Sequence, residues 1–265
     1  MAEERRTAPQ EAERPDALSP ETAAARYEAE RRQGAIIAAG AESAWGWRSP
    51  AGVLRADRRA RFLIGNARLG PGVRCLELGC GTGEFTTRLL ASGCRLTAVE
   101  ISEATAAECR ARVGEQAEVV LGNVETGEGL EGREFDAIVG VSVLHHLCMP
   151  LCLKATFSHL RPGGRFAFSE PNMANPQIWA ERHIGWVRRW RRVNEHETAF
   201  HAHELRELFT RAGLVVEVCE PFEFLHPSTP RCLVGAVRRV EGCLERTPLR
   251  RFAGSIRIAG CRAAS

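Results

Sequence analysis

The chain has 265 residues and a mass of 29.1 kDa, the size of one large domain with room for a small cap. Hydrophobic residues make up 44% and charged residues 26%, the balance of a soluble globular protein. The net charge of +3 is too small to mark a nucleic-acid binder, and no apolar run approaches the ~18 residues that span a bilayer. Met1-Ala2-Glu3-Glu4-Arg5-Arg6 is charged and leads into no apolar stretch, so no secretory signal and a cytoplasmic location are expected. The positive balance is local: five arginines against Glu181 lie between Trp179 and Arg192. The ten cysteines form no Cys-x-x-Cys pair and no zinc-finger spacing, so buried reduced thiols and no metal are expected.

Residues 1–18 are rich in Glu, Arg, Ala and Pro and read as a disordered tail. Ser19-Pro20-Glu21 is a helix start, with Ser at the cap and Pro at the first helical position, and the helix runs to about Gln33. Trp45-Gly46-Trp47 and Ser49-Pro50-Ala51-Gly52 break the pattern. Residues 56–64 read as a second helix, stopped by Gly65. This stretch has no strand signal, and residues 19–70 are expected to form a helical N-terminal cap.

From residue 71 to 265 the character changes. Residues 73–78 are a strand ending in a glycine-rich turn, and 84–90 a helix. A strand over 96–99 ends at Glu100, and Ser102 caps a helix reaching Val113. Strands follow at 117–121 and 135–141, then a helix over 146–160 dented by Pro150. Arg161-Pro162-Gly163-Gly164 is a turn before the fifth strand, 165–169. Strands alternating with helices imply right-handed crossovers and a parallel sheet covered on both faces. An insertion over 172–200 follows. A helix over 201–212, a strand over 214–219 and a helix over 233–244 come next. A last strand over 254–259 is expected on the sheet edge.

In such a sheet, ligands bind beyond the carboxyl ends of the strands near the switch in strand order. The first such end is Glu77-Leu78-Gly79-Cys80-Gly81-Thr82-Gly83. Glycine there admits positive φ and close approach of a ligand, and the next helix offers its free N–H groups. Glu100, 17 residues past Gly83, can accept hydrogen bonds from both hydroxyls of a ribose. A dinucleotide fingerprint would need a third glycine where Glu84 stands. The carboxylate of Glu77 would crowd a pyrophosphate and suits a ligand carrying an amino group and a sulfonium.

The chain here resembles the class I S-adenosylmethionine-dependent methyltransferases, over about residues 70–220. The matching stretches are residues 73–83, Val99-Glu100, Gly122-Asn123-Val124, residues 135–146 and Leu160-Arg161-Pro162-Gly163-Gly164. The resemblance implies a doubly wound, mostly parallel, seven-stranded α/β sheet of Rossmann-like type with an antiparallel last strand. It implies S-adenosylmethionine as cofactor and S-adenosylhomocysteine as product. Glu77, Gly79 and Gly81 would line the methionine end, Glu100 the ribose, Asn123 and Val124 the adenine, and Ser142 the region below the sulfonium. Cys80, Gly83 and Ile101 complete the cofactor set. The family more often has Asp where Asn123 stands, though Asn can still accept from the adenine amino group. Glu100 as a helix cap, and Asn123 and Ser142 as turn residues, are alternatives the sequence leaves open.

The stretch Gly140-Val141-Ser142-Val143 lacks the Asn/Asp-Pro-Pro-aromatic motif of base-amino methyltransferases, and Asp136 lies at the wrong strand end for a hard cation. No nucleic-acid partner is therefore expected. His145 and His146 follow the fourth strand, where a general base could stand, and Glu170 ends the fifth, facing the same crevice. Glu197, His201 and His203 are further candidates. Trp179, His183, Trp186 and Trp190 fall on one helical face, flanked by arginines. That segment reads as a lid over a hydrophobic acceptor, as a helix packed on the cap, or as a membrane-surface helix. With Trp47 from the cap, Trp179, His183 and Trp186 are the expected acceptor contacts. The function expected is methyl transfer to the O, N or C atom of a small molecule. The alternatives are a lipid or quinone-like acceptor at a membrane surface and an S-adenosylmethionine-binding protein that transfers no methyl. Acceptor identity and oligomeric state are not legible.

Overall fold

The computed structural model describes residues 20–41, 46–191 and 198–264. The expected tail over 1–18, Trp45 and Glu197 lie outside the described residues, as does the side chain of Trp190.

Seven strands form one sheet: β1 (Arg74–Leu78), β2 (Arg95–Glu100), β3 (Glu118–Leu121), β4 (Phe135–Val141), β5 (Leu160–Pro171), β6 (Leu214–Phe222) and β7 (Ser255–Arg262). Their order is β3-β2-β1-β4-β5-β7-β6. The first five run parallel, and β7 is antiparallel to both its neighbours, as the resemblance implied. The expectation of an edge position for the last strand is corrected. β7 fills the space between β5 and β6, and β6 is the edge. Burial explains the order: Ile256, Ile258 and Ala259 are fully buried, whereas Val215 on β6 is exposed. The order reverses at β1, which pairs with β2 on one side and β4 on the other. That switch point sets the site.

Several helix boundaries differ from expectation. α1 (Pro20–Ile36) runs one turn further. α2 (Pro50–Asn66) begins at the Ser49-Pro50 pair read as a breaker. Ser49 Oγ accepts from Gly52 N–H at 3.0 Å, the cap chemistry that the sequence leads one to expect at a Ser-Pro pair, and Gly65 sits inside the helix. α3 (Thr86–Leu90) is short, and α4 (Glu103–Val113) follows Ser102 as expected. The helix over 146–160 is three pieces: a turn Leu144–His146, α5 (Met149–Ala155) with Pro150 in its first turn, and a turn Phe157–His159. Proline lacks an N–H, so it opens this helix instead of denting it. The turn 161–164 bulges from β5, whose register on β4 shifts between Leu160 and Arg165.

The insertion is helical but not one helix. α6 (Pro176–His183) is capped by Asn175, whose Oδ1 accepts from Gln177 and Ile178 N–H, and α7 is Gly185–Arg191. Ile184 between them is extended, with φ −99° and ψ 107°. The single face carrying Trp179 and Trp186 is thereby broken. α8 (Ala202–Arg211) and α9 (Arg231–Leu244) complete the helices.

α2 is fastened to the C-terminal part by ion pairs. Arg58 reaches Glu241 at 2.7 Å and Glu245 at 2.5 Å. Arg55 and Arg59 converge on Glu223 at 2.9 and 2.5 Å. Burial alone would raise Glu223, but the two guanidiniums outweigh it and hold the carboxyl below its ordinary value. All ten cysteines are free. Six are buried as expected, but Cys232 and Cys243 are exposed.

Candidate cofactor and acceptor site

A cavity of about 720 Å³ opens at the carboxyl ends of β1, β2 and β4. Of the residues expected to bind cofactor, Gly79, Cys80, Gly81, Glu100, Ile101, Asn123, Val124 and Ser142 line it. Glu77 and Gly83 do not; Glu77 is buried in β1 and Gly83 turns the chain toward α3.

The loop after β1 needs its glycines. Gly79 and Gly81 hold φ of 61° and 53°. A Cβ on Gly79 would stand 2.6 Å from Val143 Cγ2, whereas one on Gly81 would project into open space. Gly81 is thus a cradle that a side chain would fill. Its N–H donates to Glu100 Oε2 at 2.8 Å, while Glu100 Oε1 accepts from Ile101 and Ser102 N–H, each at 3.1 Å. Glu100 therefore holds the turn that leads into α4 and ties the glycine loop to the end of β2 while lining the cavity. Burial raises its carboxyl, and these three donors pull against that rise.

Glu77 is the more telling group. Its Oε2 is buried without a hydrogen-bond partner, and burial pushes the carboxyl up to about 8. A ligand bearing an ammonium beside this loop would favour the ionised form of this carboxyl. The orphaned carboxyl oxygen, the open space at Gly81 and the acid at Glu100 fit S-adenosylmethionine.

On the other side, Asn123 Oδ1 accepts from Glu125 N–H at 2.9 Å, so it closes the turn after β3 while lining the cavity. Glu125, which the sequence did not single out, is a hub. It accepts from Arg26, from the Tyr27 hydroxyl at 2.9 Å and from Cys148 N–H at 2.8 Å. These bonds strap α1 across the cavity, where Arg26, Tyr27 and Glu30 join the lining. The only sequence signal was the i, i+4 spacing of Arg26 and Glu30.

Ser142 holds a left-handed φ of 52° and donates its N–H to Ser169 O at 2.8 Å. Its Oγ accepts from Arg59 Nη1 at 3.4 Å. His145 and His146 line the cavity. Glu170, expected to face the crevice, does not: it is fully buried behind the loop after β4. Its oxygens accept from Val143 and Leu144 N–H at 3.1 Å, and Oε2 lies 2.9 Å from His145 Nδ1. His201 precedes α8, its N–H donating to Glu204 at 3.0 Å, and its ring stacks on His203 away from the cavity lining.

Of the expected acceptor contacts, Trp47 alone lines the cavity. It packs edge-on to Phe85 at 5.2 Å, with Arg59 and Arg55 guanidiniums 5.1 and 5.2 Å from its ring centre. Trp179, His183 and Trp186 stand off the lining. Trp179 stacks on His183 at 4.9 Å, and Trp186 is 65% exposed. The insertion instead contributes Glu181 and Arg182. Glu181 stands two residues past Trp179 on α6, roughly 200° round the helix, so the face turned to the cavity is not the one that carries Trp179 and His183.

Residues 47–218 match the family model described as a methyltransferase domain. Nodulation protein S of Rhizobium tropici is 30% identical over 139 residues, covering 50% of this chain and 58% of that protein. Ubiquinone biosynthesis O-methyltransferase of Ruegeria pomeroyi is 28% identical over 158 residues, covering 57% and 63%. The chain thus spans about three fifths of the length of these curated relatives. Among solved structures, the 1,6-didemethyltoxoflavin-N1-methyltransferase of Burkholderia thailandensis superposes with a TM-score of 0.60 at 18% identity, covering 93% of this chain and 92% of that one. The [4+2]-cyclase SpnF superposes with a TM-score of 0.56 at 17% identity, covering 79% and 81%. The family match, the sheet order and the glycine-loop cavity agree: the chain belongs to the methyltransferase domain family, of the class I S-adenosylmethionine-dependent type.

Proposed function

We propose that this protein transfers a methyl group from S-adenosylmethionine to a small-molecule acceptor. The observation that carries the reading is one continuous cavity that joins the glycine loop and Glu100 to Trp47, His145 and Glu181. Its volume lies within the range for small-ligand sites. Gly79, Cys80, Gly81 and Ile101 would hold the cofactor with Glu100 at the ribose and Asn123 and Val124 at the adenine. Glu77 would offset the amino group's charge from below. The bound cofactor supplies a methyl carbon already activated by a sulfonium. The chain's own share is then positioning and exclusion of water, and orientation supplies roughly 7–11 kcal/mol of a barrier in well-aligned cases. Arg26, Tyr27 and Glu30 on α1 cover the opening. Trp47, Glu181 and Arg182 wall the acceptor end, so residues 19–70 act as cap and the insertion contributes one wall.

A second reading keeps the chemistry and moves the acceptor to a lipid surface. The exposure of Trp186 next to Arg188 and Arg189 favours it. No helix among the described residues is long and apolar enough to cross a membrane. The free thiols support a reducing compartment such as the cytoplasm. The test is release of S-adenosylhomocysteine with labelled S-adenosylmethionine and a panel of phenols, amines and isoprenoid quinols. Turnover of soluble phenols or amines supports the first reading. Turnover of quinols only in the presence of vesicles supports the second, and release with none of them refutes both.

A further inference from the structure

Two histidines follow β4 in succession, and the fold gives them different carboxylates. His146 Nδ1 lies 3.1 Å from Glu30 Oε2 on α1. His145 Nδ1 lies 2.9 Å from Glu170 Oε2 at the end of β5. The two rings are 4.1 Å apart, centre to centre. His145 lines the cavity; Glu170 stands behind it, fully buried.

Backbone donors favour one state of this pair. Glu170 Oε1 accepts from Val143 and Leu144 N–H at 3.1 Å, and Oε2 from His145 N–H at 3.4 Å. Burial pushes the Glu170 carboxyl up to about 7, and these donors favour its ionised form. Glu170 Oε1 is already committed to two N–H donors, and an ionised carboxylate can only accept, so with Glu170 ionised the hydrogen shared with His145 sits on Nδ1. In the neutral ring Nε2 is then the nitrogen without a proton, the one that accepts. When the ring gains a proton, its charge forms against a buried carboxylate. Nothing else in the described cavity couples a proton-accepting ring to a fully buried counter-charge in this way.

We propose that His145 takes up the acceptor's proton during methyl transfer, with Glu170 as its positioning residue. The acceptor is accordingly a small molecule whose methylated heteroatom bears both an electron pair and a hydrogen, as a hydroxyl, a phenol or a neutral primary or secondary amine does. This rests on the methyltransferase reading of the cavity. The heteroatom's electron pair forms the bond to the methyl carbon, the carbon–sulfur pair stays on sulfur, and the heteroatom's proton passes to His145 Nε2 and then to solvent. Among the described residues, the charged groups around the pair include His146 beside it, Glu30 and Arg26 on α1, Glu125 after β3, and Glu181 and Arg182 on α6. An apparent pKa would report all of them, so the ring's tautomer is the primary readout.

The experiment is ¹⁵N-histidine NMR of the full chain, alone and with S-adenosylhomocysteine. The wild-type His145 ring should carry its proton on Nδ1. In Glu170→Gln the amide oxygen keeps the Val143 and Leu144 bonds, and the amide N–H donates to the ring. The proton should then move to Nε2. S-adenosylhomocysteine affinity should stay within twofold, while kcat on phenol and amine acceptors falls about 10²–10⁴-fold. His145→Gln should match that loss and abolish the acid limb of the pH profile. A wild-type ring protonated on Nε2, a tautomer unmoved by Glu170→Gln, or kcat in His145→Gln within threefold of wild type would each overturn the proposal. The wild-type measurement needs no variant to fold. Failure of S-adenosylhomocysteine to bind, with the tautomer as expected, refutes the cofactor reading and leaves the pair's geometry standing.

Discussion

Replacing Arg59 by Met should unfasten α2 from the C-terminal half. Arg59 is 3% exposed, and its guanidinium donates to Glu223, to Ser255 Oγ at 2.5 Å and to Ser142 Oγ at 3.4 Å. Methionine fills similar space, so the loss is electrostatic and not a cavity. Breaking a buried pair from one side costs about 3–5 kcal/mol. Arg55 still reaches Glu223 at 2.9 Å, which places the cost at the low end, about 3 kcal/mol. For a chain of this size that lowers Tm by roughly 6–12 °C. Glu223 also holds a left-handed φ of 73°, a strain that the pair helps to hold in place. The sign with pH follows from its lowered pKa. The stabilisation is present above the unfolded value of 4.5 and is lost as pH falls through the lower folded value. The wild type should therefore lose stability in acid more steeply than Arg59→Met. Thermal unfolding between pH 3 and 8 tests this. A Tm within about 2 °C of wild type at pH 7, or parallel acid limbs, would refute the reasoning.

Glu77→Gln should flatten a different slope. A carboxyl raised to about 8 stabilises the fold fully below 4.5 and loses that contribution as pH rises to 8, so the variant should gain Tm relative to wild type at pH 8. Titrating S-adenosylmethionine in buffers of different ionisation enthalpy should show proton release in the wild type and none in Glu77→Gln. Gly81→Ala should weaken cofactor binding at least tenfold, because its Cβ enters the open cradle at a φ of 53°; calorimetry with unchanged affinity would show that the cradle is not used. Trp47→Ala should raise the acceptor KM while Trp186→Ala changes it less than twofold, since Trp47 alone of the two lines the cavity. The reverse order would restore the insertion's tryptophans as the acceptor wall.

The parallel half of the fold was legible because each strand there ends in its own local signal: the glycines after Leu78, Glu100, Asn123 and Ser142. Ser49-Pro50 is equally legible as a helix start, with Ser at the cap and Pro at the first helical position. The position of β7 was not local information. It depends on burial from β5 and β6 at once, and an apolar strand reads the same at an edge or inside. Helical periodicity placed Trp179 and Trp186 on one face, but a single extended residue at Ile184 ended that phase. The site's polar partners were the least legible. Arg59–Glu223 and Arg26–Glu125 join residues 164 and 99 apart, and nothing in the neighbourhood of either residue announces the other. Glu170 was found but misplaced: the end of a strand fixes where a residue is, not which side of the next loop it supports.

The likeness to a [4+2]-cyclase shows that this fold alone does not establish methyl transfer, so the cavity's occupant is the decisive point. Isothermal titration of S-adenosylmethionine into the wild-type protein and Glu100→Ala addresses it directly. The wild type should bind one equivalent, and the variant should bind at least tenfold more weakly, since it loses the carboxyl proposed to meet the ribose, which also holds Gly81 N–H at 2.8 Å. No binding by the wild type, or undiminished binding by Glu100→Ala, would contradict the account.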